Sequence, residues 1–331
     1  MRPEVLMYST NDQITFWDIK NLNPNDISIS ITDLKKTQDI FVQNNIHGVV
    51  VGDTDYHTKF HNIPNKPYIM HYMWDISLLD RNILWIVWPR KNSDYSHHVL
   101  QRLFDYAKNY DLVTISGMAE WVDQLCHSFS VKHGIPTIAV LWGGIHHYLQ
   151  SSQRHIIESI VDHWWLILSE FKIDFVPTKY SFPQRNRIVA WLCDRLFLPE
   201  AGVWSGSLIT ANFAYDLDKP VYTVPGDIFS PTEEWIFELI QSKKASFITD
   251  FSSFFAQNFH PNLKVQTQDL HIDLSDQENQ ILSALSTKWQ MSLDHLVQET
   301  NIDLDTLMTN MTLLEMNEFV YQNMPGMYCL R

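Results

Sequence analysis

The chain has 331 residues, 45% of them hydrophobic and 19% charged. That is enough apolar material for one large packed domain with a smaller companion, and too much for a disordered chain. The 24 basic and 38 acidic residues leave a formal charge of -14, which excludes a protein that holds nucleic acid by bulk charge and leaves room only for a local basic patch. The apolar runs fall short of a membrane span, and the start MRPEVLMYSTNDQ has no signal-peptide core. Cys126, Cys193 and Cys329 are too scattered for a disulfide framework or a zinc site. A soluble cytoplasmic protein without cofactor or metal is expected.

Residues 1–54 are irregular and of unclear fold, with helical spacing at 33–45 and a strand-like HGVVVG at 47–52. Residues 55–80 read as loop, since Pro64 and Pro67 break any helix there. Beyond them come apolar runs of buried-strand length: ILWIVW (83–88), LVTIS (112–116), TIAVL (137–141), LILS (166–169), RLFLPE (195–200) and VYTV (221–224). Helical patterns at 95–109, 119–132, 153–163 and 206–216 alternate with them. Strands joined by helical crossovers predict an α/β domain over 55–255, Rossmann-like, with a mostly parallel sheet and helices on both faces. Residues 256–275 read as a linker. Three helical patterns follow at 276–287, 292–299 and 303–316, with Ser292 and Asp303 as N-caps. EFVYQN and MYCLR then form a hairpin around Pro325-Gly326, so 276–331 is predicted to be a small winged-helix-like domain. Nine acidic residues against two basic ones in 273–331 suit a protein partner better than DNA.

One feature of the composition is abnormal. Ordinary glycine usage of ~7% would give this length about 23 glycines; the chain has 10, together with 12 tryptophans. Either the protein is Trp-rich, as one that stacks sugars or bases, or tryptophan stands at places where glycine belongs. Position decides between the two.

Charge is distributed unevenly. Residues 171–190 carry Lys172, Lys179, Arg185 and Arg187 against Asp174 alone, a basic stretch fit to grip phosphate through bidentate Arg and point-charge Lys. Tyr180 and Phe182 are candidates to stack on bases, though Phe182 fits a core position equally well. EAGVWSGSLITA (200–211) joins a strand to a helix. With glycine in place of Trp204 it becomes a turn whose amides, with the helix N-terminus, can bind a phosphate. Asp123 and His127 lie four apart on one helix face, which permits acid–base work, with a structural hydrogen bond as the other reading. His97-His98 and His146-His147 lack the partners of a metal site. Neither a Walker A pattern nor a G-x-S-x-G elbow is present.

Seven phrases fall in order at strand ends: WPRK (88–91), SGMAEWVDQLCH (116–127), AVLWGGI (139–145), LSE (168–170), FPQRNRIVAWL (182–192), EAGVWSGSLITANFA (200–214) and VYTVPGDIFSPTEEWIFELI (221–240). Together they resemble the DNA-processing protein A family, DprA or Smf, over about 55–255, and the last segment fits that family's winged helix. Residues 1–50 do not resemble its N-terminal sterile-alpha-motif-like domain. The resemblance implies a non-enzymatic single-stranded-DNA binder that protects incoming DNA in natural transformation, helps load the RecA recombinase, acts as a homodimer and has no membrane association. It also implies a DNA pocket lined by Arg90, Lys179, Arg185, Asn186 and Arg187 with the turn Ser205-Gly206-Ser207. Trp88, Trp121, Trp142, Trp191, Trp204 and Trp235 each occupy a place where the family motif has glycine. Trp74, Trp85, Trp164, Trp165 and Trp289 have the same character, while Trp17 lies outside the resemblance. One codon accounts for all of these, UGA decoded as glycine in the organism and written as Trp in translation. If the indoles are real, the site should be blocked and the domain poorly packed. Two rivals stand beside this reading. One is a Rossmann-like nucleotide hydrolase of the lysine-decarboxylase-like type, whose P-G-G-x-G-T motif VPGDIFSPTEE does not supply; the other is a degenerate paralogue that does not bind DNA.

Overall fold

The computed structural model describes residues 3–10, 30–87, 94–119, 122–201, 206–227, 230, 234–262, 275–287, 290–316, 319–324 and 326–330. The chain divides into two compact units, Met1–Val265 and Gln266–Arg331.

The strands of the first unit are β1 (Ile46–Val50), β2 (Ile69–Met73), β3 (Ile83–Ile86), β4 (Tyr110–Asp111), β5 (Val113–Ser116), β6 (Thr137–Val140), β7 (Leu166–Ser169), β8 (Arg195–Phe197), β9 (Val221–Thr223), β10 (Ser246–Phe247) and β11 (His260–Pro261). β4 and β11 pair with each other, and the other nine form one sheet in the order β1-β2-β7-β6-β5-β3-β8-β9-β10. From β7 to β10 every neighbour is parallel, while β2 runs antiparallel to β7 and β1 antiparallel to β2. The parallel part begins in its own middle. β3 is followed outward by β5, β6 and β7, and the chain then returns through the helix Ser181–Leu192 to lay β8 on the other side of β3. Such a reversal of strand order opens a crevice at the carboxyl ends, which is where open α/β sheets take their ligands.

The predicted Rossmann-like α/β class holds, and its cause is visible in the residues. β3, β5, β6 and β7 (ILWI, VTIS, TIAV, LILS) are buried along their whole length, as strands covered on both faces must be. Successive side chains alternate between layers: Ile83 and Trp85 enter one apolar cluster, Leu84 and Ile86 the other. The crossover helix Asp94–Ala107 buries Leu100, Leu103, Phe104 and Ala107, a stripe at three- and four-residue spacing that faces the second cluster.

Residues 55–80, read as loop, contain the short helix Thr58–His61, the strand β2 and a 3-10 turn at Ile76–Asp80. A polar residue interrupts the apolar run IMHYM and hides β2. That residue, His71, is fully buried, with its Nε2 3.1 Å from Ser9 Oγ and its ring between those of Tyr8 and Phe41. Pro67 stands just ahead of the strand, where a missing N–H does no harm. Within 1–54, β1 joins the sheet edge, and the helix Ile31–Gln43 is capped by Ser30, whose Oγ accepts from Thr32 N at 3.2 Å. The helices Ile145–Leu149, Ser181–Leu192, Glu234–Gln241 and Phe251–Asn258 also went unread in the pattern. The last of these, with β11, occupies the start of the expected linker; 263–274 lies outside the described residues.

The second unit packs the helices Asp276–Thr287, Leu293–Thr300 and Leu304–Met316 with the sheet β12 (Met291–Ser292), β13 (Val320–Met324) and β14 (Met327–Leu330). Its core holds Ile281, Leu285, Leu296, Leu307, Leu314 and Val320. Ser292 Oγ accepts from His295 N at 3.3 Å and Asp303 Oδ1 from Thr306 N at 3.0 Å, so both expected caps form. Among the described residues no helix is long and apolar enough to cross a membrane.

Candidate nucleic-acid interface

The helix Ser181–Leu192 carries Phe182, Arg185, Asn186 and Arg187 across the carboxyl edge of the sheet. Arg185 is 1% exposed. Its Nη1 donates to Val140 O at 2.6 Å, its Nη2 lies 3.5 Å from Asp123 Oδ2, and its guanidinium carbon sits 5.3 Å over the Phe182 ring. A Cβ on Gly117 would stand 1.5 Å from Nη1, so only glycine admits the guanidinium at the end of β5. Burial lowers the pKa of Arg185, and the Asp123 carboxylate opposes that shift. Nε is buried without a partner.

Asp123 stands in the first turn of the helix Val122–Lys132, where a carboxylate suits the helix dipole. Its Oδ1 accepts from Ser116 Oγ and its Oδ2 from Ala119 N, both at 3.0 Å. His127, one turn on, is 2.8 Å from Gly117 O through Nε2 and 2.8 Å from Thr137 Oγ1 through Nδ1. A carbonyl only accepts, so Nε2 carries the proton and Nδ1 accepts from the hydroxyl. Burial pushes the His127 pKa down to about 4. With both His127 ring nitrogens engaged and Asp123 held by Ser116 and Ala119, the two side chains tie the ends of β5 and β6 to this helix.

At the end of β7 lies a second buried pair. Arg187 Nη2 donates to Glu170 Oε2 at 2.5 Å and to Asn65 O at 3.0 Å, with the two side chains 12% and 7% exposed. Burial raises the pKa of Glu170, and Arg187 counters it. Arg187 Nη1 and Glu170 Oε1 are left without partners. Residues 172–177 then fold back onto the end of β6. Gly144 N donates to Phe175 O at 2.9 Å and His147 N to Ile173 O at 3.1 Å. A Cβ on Gly144 would come within 2.1 Å of Ile173 O. The segment ends in the exposed Lys179 and Tyr180, with Nζ 5.0 Å over a ring that is 73% exposed.

The structure therefore brings Lys179, Arg185, Asn186 and Arg187 onto one edge. Arg185 is enclosed and Arg187 paired, Asn186 is half-buried, and Lys179 reaches solvent. Gly206 and Ser207 open the helix Gly206–Asp216, which follows β8 on the other side of β3. Arg90, Ser205, Trp88, Trp121, Trp204 and Trp289 lie outside the described residues. Phe182 belongs to the packed layer, between Arg185 and Trp142, and Tyr180 is the exposed ring. Trp191 is half-buried, 6.0 Å below Lys219 Nζ. Sequence reasoning missed the role of Glu170. The signal was a lone carboxylate at a strand's carboxyl end, immediately ahead of a basic stretch. His146, expected to lack a carboxylate partner, pairs with Asp174 at 2.5 Å on the surface. Among the described residues no cluster is suited to a metal ion.

A mostly parallel sheet whose strand order reverses beside β3 defines a Rossmann-like α/β protein, and its polar groups gather at the edge where such sheets take their ligands. The family model for DNA recombination-mediator protein A matches residues 47–258. The chain belongs to that family, the DprA/Smf proteins, whose members are DNA-processing proteins. It is 28% identical over 238 residues to DNA processing protein DprA of Bacillus subtilis, covering 72% of this chain and 78% of that one. Among solved structures it shares the fold of DprA from Streptococcus pneumoniae, with TM-score 0.58, 24% identity and coverage of 78% of this chain and 92% of that one. It is also similar to DprA from Helicobacter pylori, described for its single-stranded-DNA binding mode, with TM-score 0.56, 25% identity and coverage of 65% and 97%.

Replacing Arg187 by Ala strands the Glu170 carboxylate in a buried site, so we expect a loss of about 3–5 kcal/mol in unfolding free energy. The double variant Arg187→Ala/Glu170→Gln should recover part of it in urea melts, and equal stability of the two would disprove the pairing. His71 and His127 both fall to about 4 from 6.5 on folding, so the unfolded chain takes up protons first. Their stabilisation is complete above pH 6.5 and is lost as pH falls toward 4, on the order of 3 kcal/mol each. Thermal midpoints read from pH 7 to 4 should drop, and His127→Gln should drop less steeply; a flat profile would count against both assignments.

Proposed function

We propose that this carboxyl edge binds single-stranded DNA. The observation that carries the reading is the exposed Lys179–Tyr180 pair at the carboxyl edge of the sheet, in a chain whose relative from Helicobacter pylori is described as binding single-stranded DNA. Lys179 meets the backbone as a point charge, and Tyr180 offers a face on which a base stacks. Asn186, Arg90 and the turn Ser205-Gly206-Ser207 add donors for phosphate. Arg185 and Arg187 hold the platform, and each has one buried donor still available, Nε and Nη1 respectively.

On this reading the protein protects incoming DNA in transformation and helps load RecA without catalysing a reaction. It works in the cytoplasm as a homodimer, so that two modest sites on one strand gain through effective concentration. The acidic second unit is read as a winged-helix-like module that contacts protein. The binding is backbone-directed and tolerant of sequence.

Titration of a fluorescent oligo(dT) tests the proposal. Lys179→Ala should weaken binding and lower the slope of log K against log salt by about one. Tyr180→Ala should cost about 1–3 kcal/mol, the worth of one stacked base. No binding at low salt, by the chain as written or by a form with glycine at the loop tryptophans, would leave the non-binding paralogue. Release of base from a nucleoside monophosphate would favour the hydrolase.

A further inference from the structure

Seven of the 12 tryptophans fall among the described residues: Trp74, Trp85, Trp142, Trp164, Trp165, Trp191 and Trp235. Two of them have a backbone that contradicts their side chain. Trp74 has φ +69° and Trp164 φ +63°, the left-handed region that glycine enters freely, Asn and Asp tolerate, and bulky side chains resist. Among the described residues five other non-glycine residues have positive φ, Asn45, Asn65, Asp218, Asn301 and Lys243, of which Asp218 and Lys243 also close helices at the left-handed position.

Trp164 also stands at a place with a defined geometry. Trp165 N donates to Ile160 O at 3.2 Å and Trp164 N to Val161 O at 2.9 Å, closing the helix Arg154–Val161. This pair of bonds makes a Schellman ending with Trp164 at its left-handed position, where glycine is the usual residue. The same chain shows the glycine version after the helix Val122–Lys132: Ile135 N donates to Ser130 O at 2.9 Å and Gly134 N to Val131 O at 3.2 Å, with Gly134 at φ +65°. Trp164 repeats Gly134 in everything but its side chain, and that side chain is 66% exposed, leaning on Trp74 with ring centroids 4.9 Å apart.

An independent observation comes from the indole nitrogens. A buried Trp N–H normally finds an acceptor, yet Nε1 of Trp74 and Trp235 is buried with none, whereas the Trp142 indole has the Tyr148 hydroxyl beside it. Trp85 and Trp165, packed in the core, show neither anomaly. Backbone and hydrogen bonding thus single out three tryptophans, Trp74 and Trp164 in contact with each other and Trp235 apart from them.

We propose that positions 74, 164 and 235 are glycine in the protein its organism makes, through UGA codons decoded there as glycine, and that position 142, where the family motif has glycine, shares that origin. A second step rests on the single-stranded-DNA reading. Trp142 follows β6, precedes Gly143-Gly144, and packs edge-on against Phe182 at 5.6 Å, the ring that lies under Arg185. With glycine at 142, a run of three glycines ends β6. The surface uncovered is Phe182 with the Arg185 guanidinium above it, a cradle for a backbone phosphate.

The protein purified from its source organism, digested with trypsin, gives the test. The peptides Phe60–Arg81, His133–Arg154 and His155–Lys172 should each be lighter than written by the difference between tryptophan and glycine, with fragment ions placing the change at 74, 142 and 164. Indole at 74 and 164 overturns the proposal. In the recombinant chain, Trp74→Gly/Trp164→Gly should raise the thermal midpoint, whereas Trp85→Gly should lower it; a fall in both would overturn the assignment as well. Trp142→Gly should tighten oligo(dT) binding at least about tenfold. Unchanged binding with glycine found in the native peptides would remove the cradle and leave the recoding standing. The mass test involves no DNA, so its failure is separable from failure of the functional reading.

Discussion

The Arg185 guanidinium holds the carboxyl edge together from inside. It joins the last carbonyl of β6 to the first turn of the helix Val122–Lys132 and anchors the returning helix Ser181–Leu192 to both. A guanidinium so enclosed would be ruinous alone, since desolvating one ion costs several kcal/mol after relaxation. It persists because Asp123 faces it, Val140 O accepts from it and Phe182 supplies a π face. Asp123 is in turn fixed by Ser116 Oγ and Ala119 N, and Gly117 must lack a side chain for the whole to close. His127, bonded to Gly117 O, braces the same turn. Four residues at 117, 123, 127 and 185 therefore act as one element.

That element changes the electrostatic arithmetic of the edge. Counted along the chain, 171–190 is strongly basic within a protein of charge -14. Folded, Asp123 answers Arg185 and Glu170 answers Arg187, both partners lying outside the basic stretch. Lys172 is drawn over the Tyr8 ring at 5.1 Å. The positive charge presented to solvent is smaller than the count, so affinity for a polyanion has to rest on oriented donors and stacking as much as on charge. On the proposed reading, the net negative charge of the rest of the chain would disfavour such a ligand elsewhere.

The parallel sheet was legible because strands buried on both faces leave uninterrupted apolar runs, and the crossover Asp94–Ala107 keeps its stripe in helical register. β2 was not, since His71 breaks the run and its burial depends on Ser9, Tyr8 and Phe41, remote in sequence. The helix Ser181–Leu192 escaped notice for a related reason. Its opening, SFPQRNR, looks polar, and a buried Arg185 counts as surface in any periodicity. The spacing of Asp123 and His127 put both on one helix face, but their partners, Ser116, Ala119, Gly117 and Thr137, come from β5, β6 and the turn after β5 and were not readable. Neither was Glu170, because the residue that makes it significant stands 17 positions away in the next helix.

The tryptophans show how a side chain and its backbone can be read as separate witnesses. The turn at 164 is set by its neighbours: the preceding helix must stop, β7 must begin at Leu166, and a Schellman ending is the short route between them. That closure requires a left-handed residue whatever its side chain, and Gly134, ahead of β6, meets the same demand in the same way. The backbone therefore testifies to the residue the fold needs, and the exposed indole contributes nothing to satisfying it. At 235 the testimony comes from the ring instead, a buried N–H for which the surroundings provide no acceptor. Trp85 is the counterexample that gives the contrast its force: buried in β3 at ordinary φ with no orphaned nitrogen, it is what an integral tryptophan looks like in this fold. Composition alone could register a deficit of glycine beside an excess of tryptophan, but only the conformation of each residue separates the tryptophans that the fold uses from those it merely accommodates.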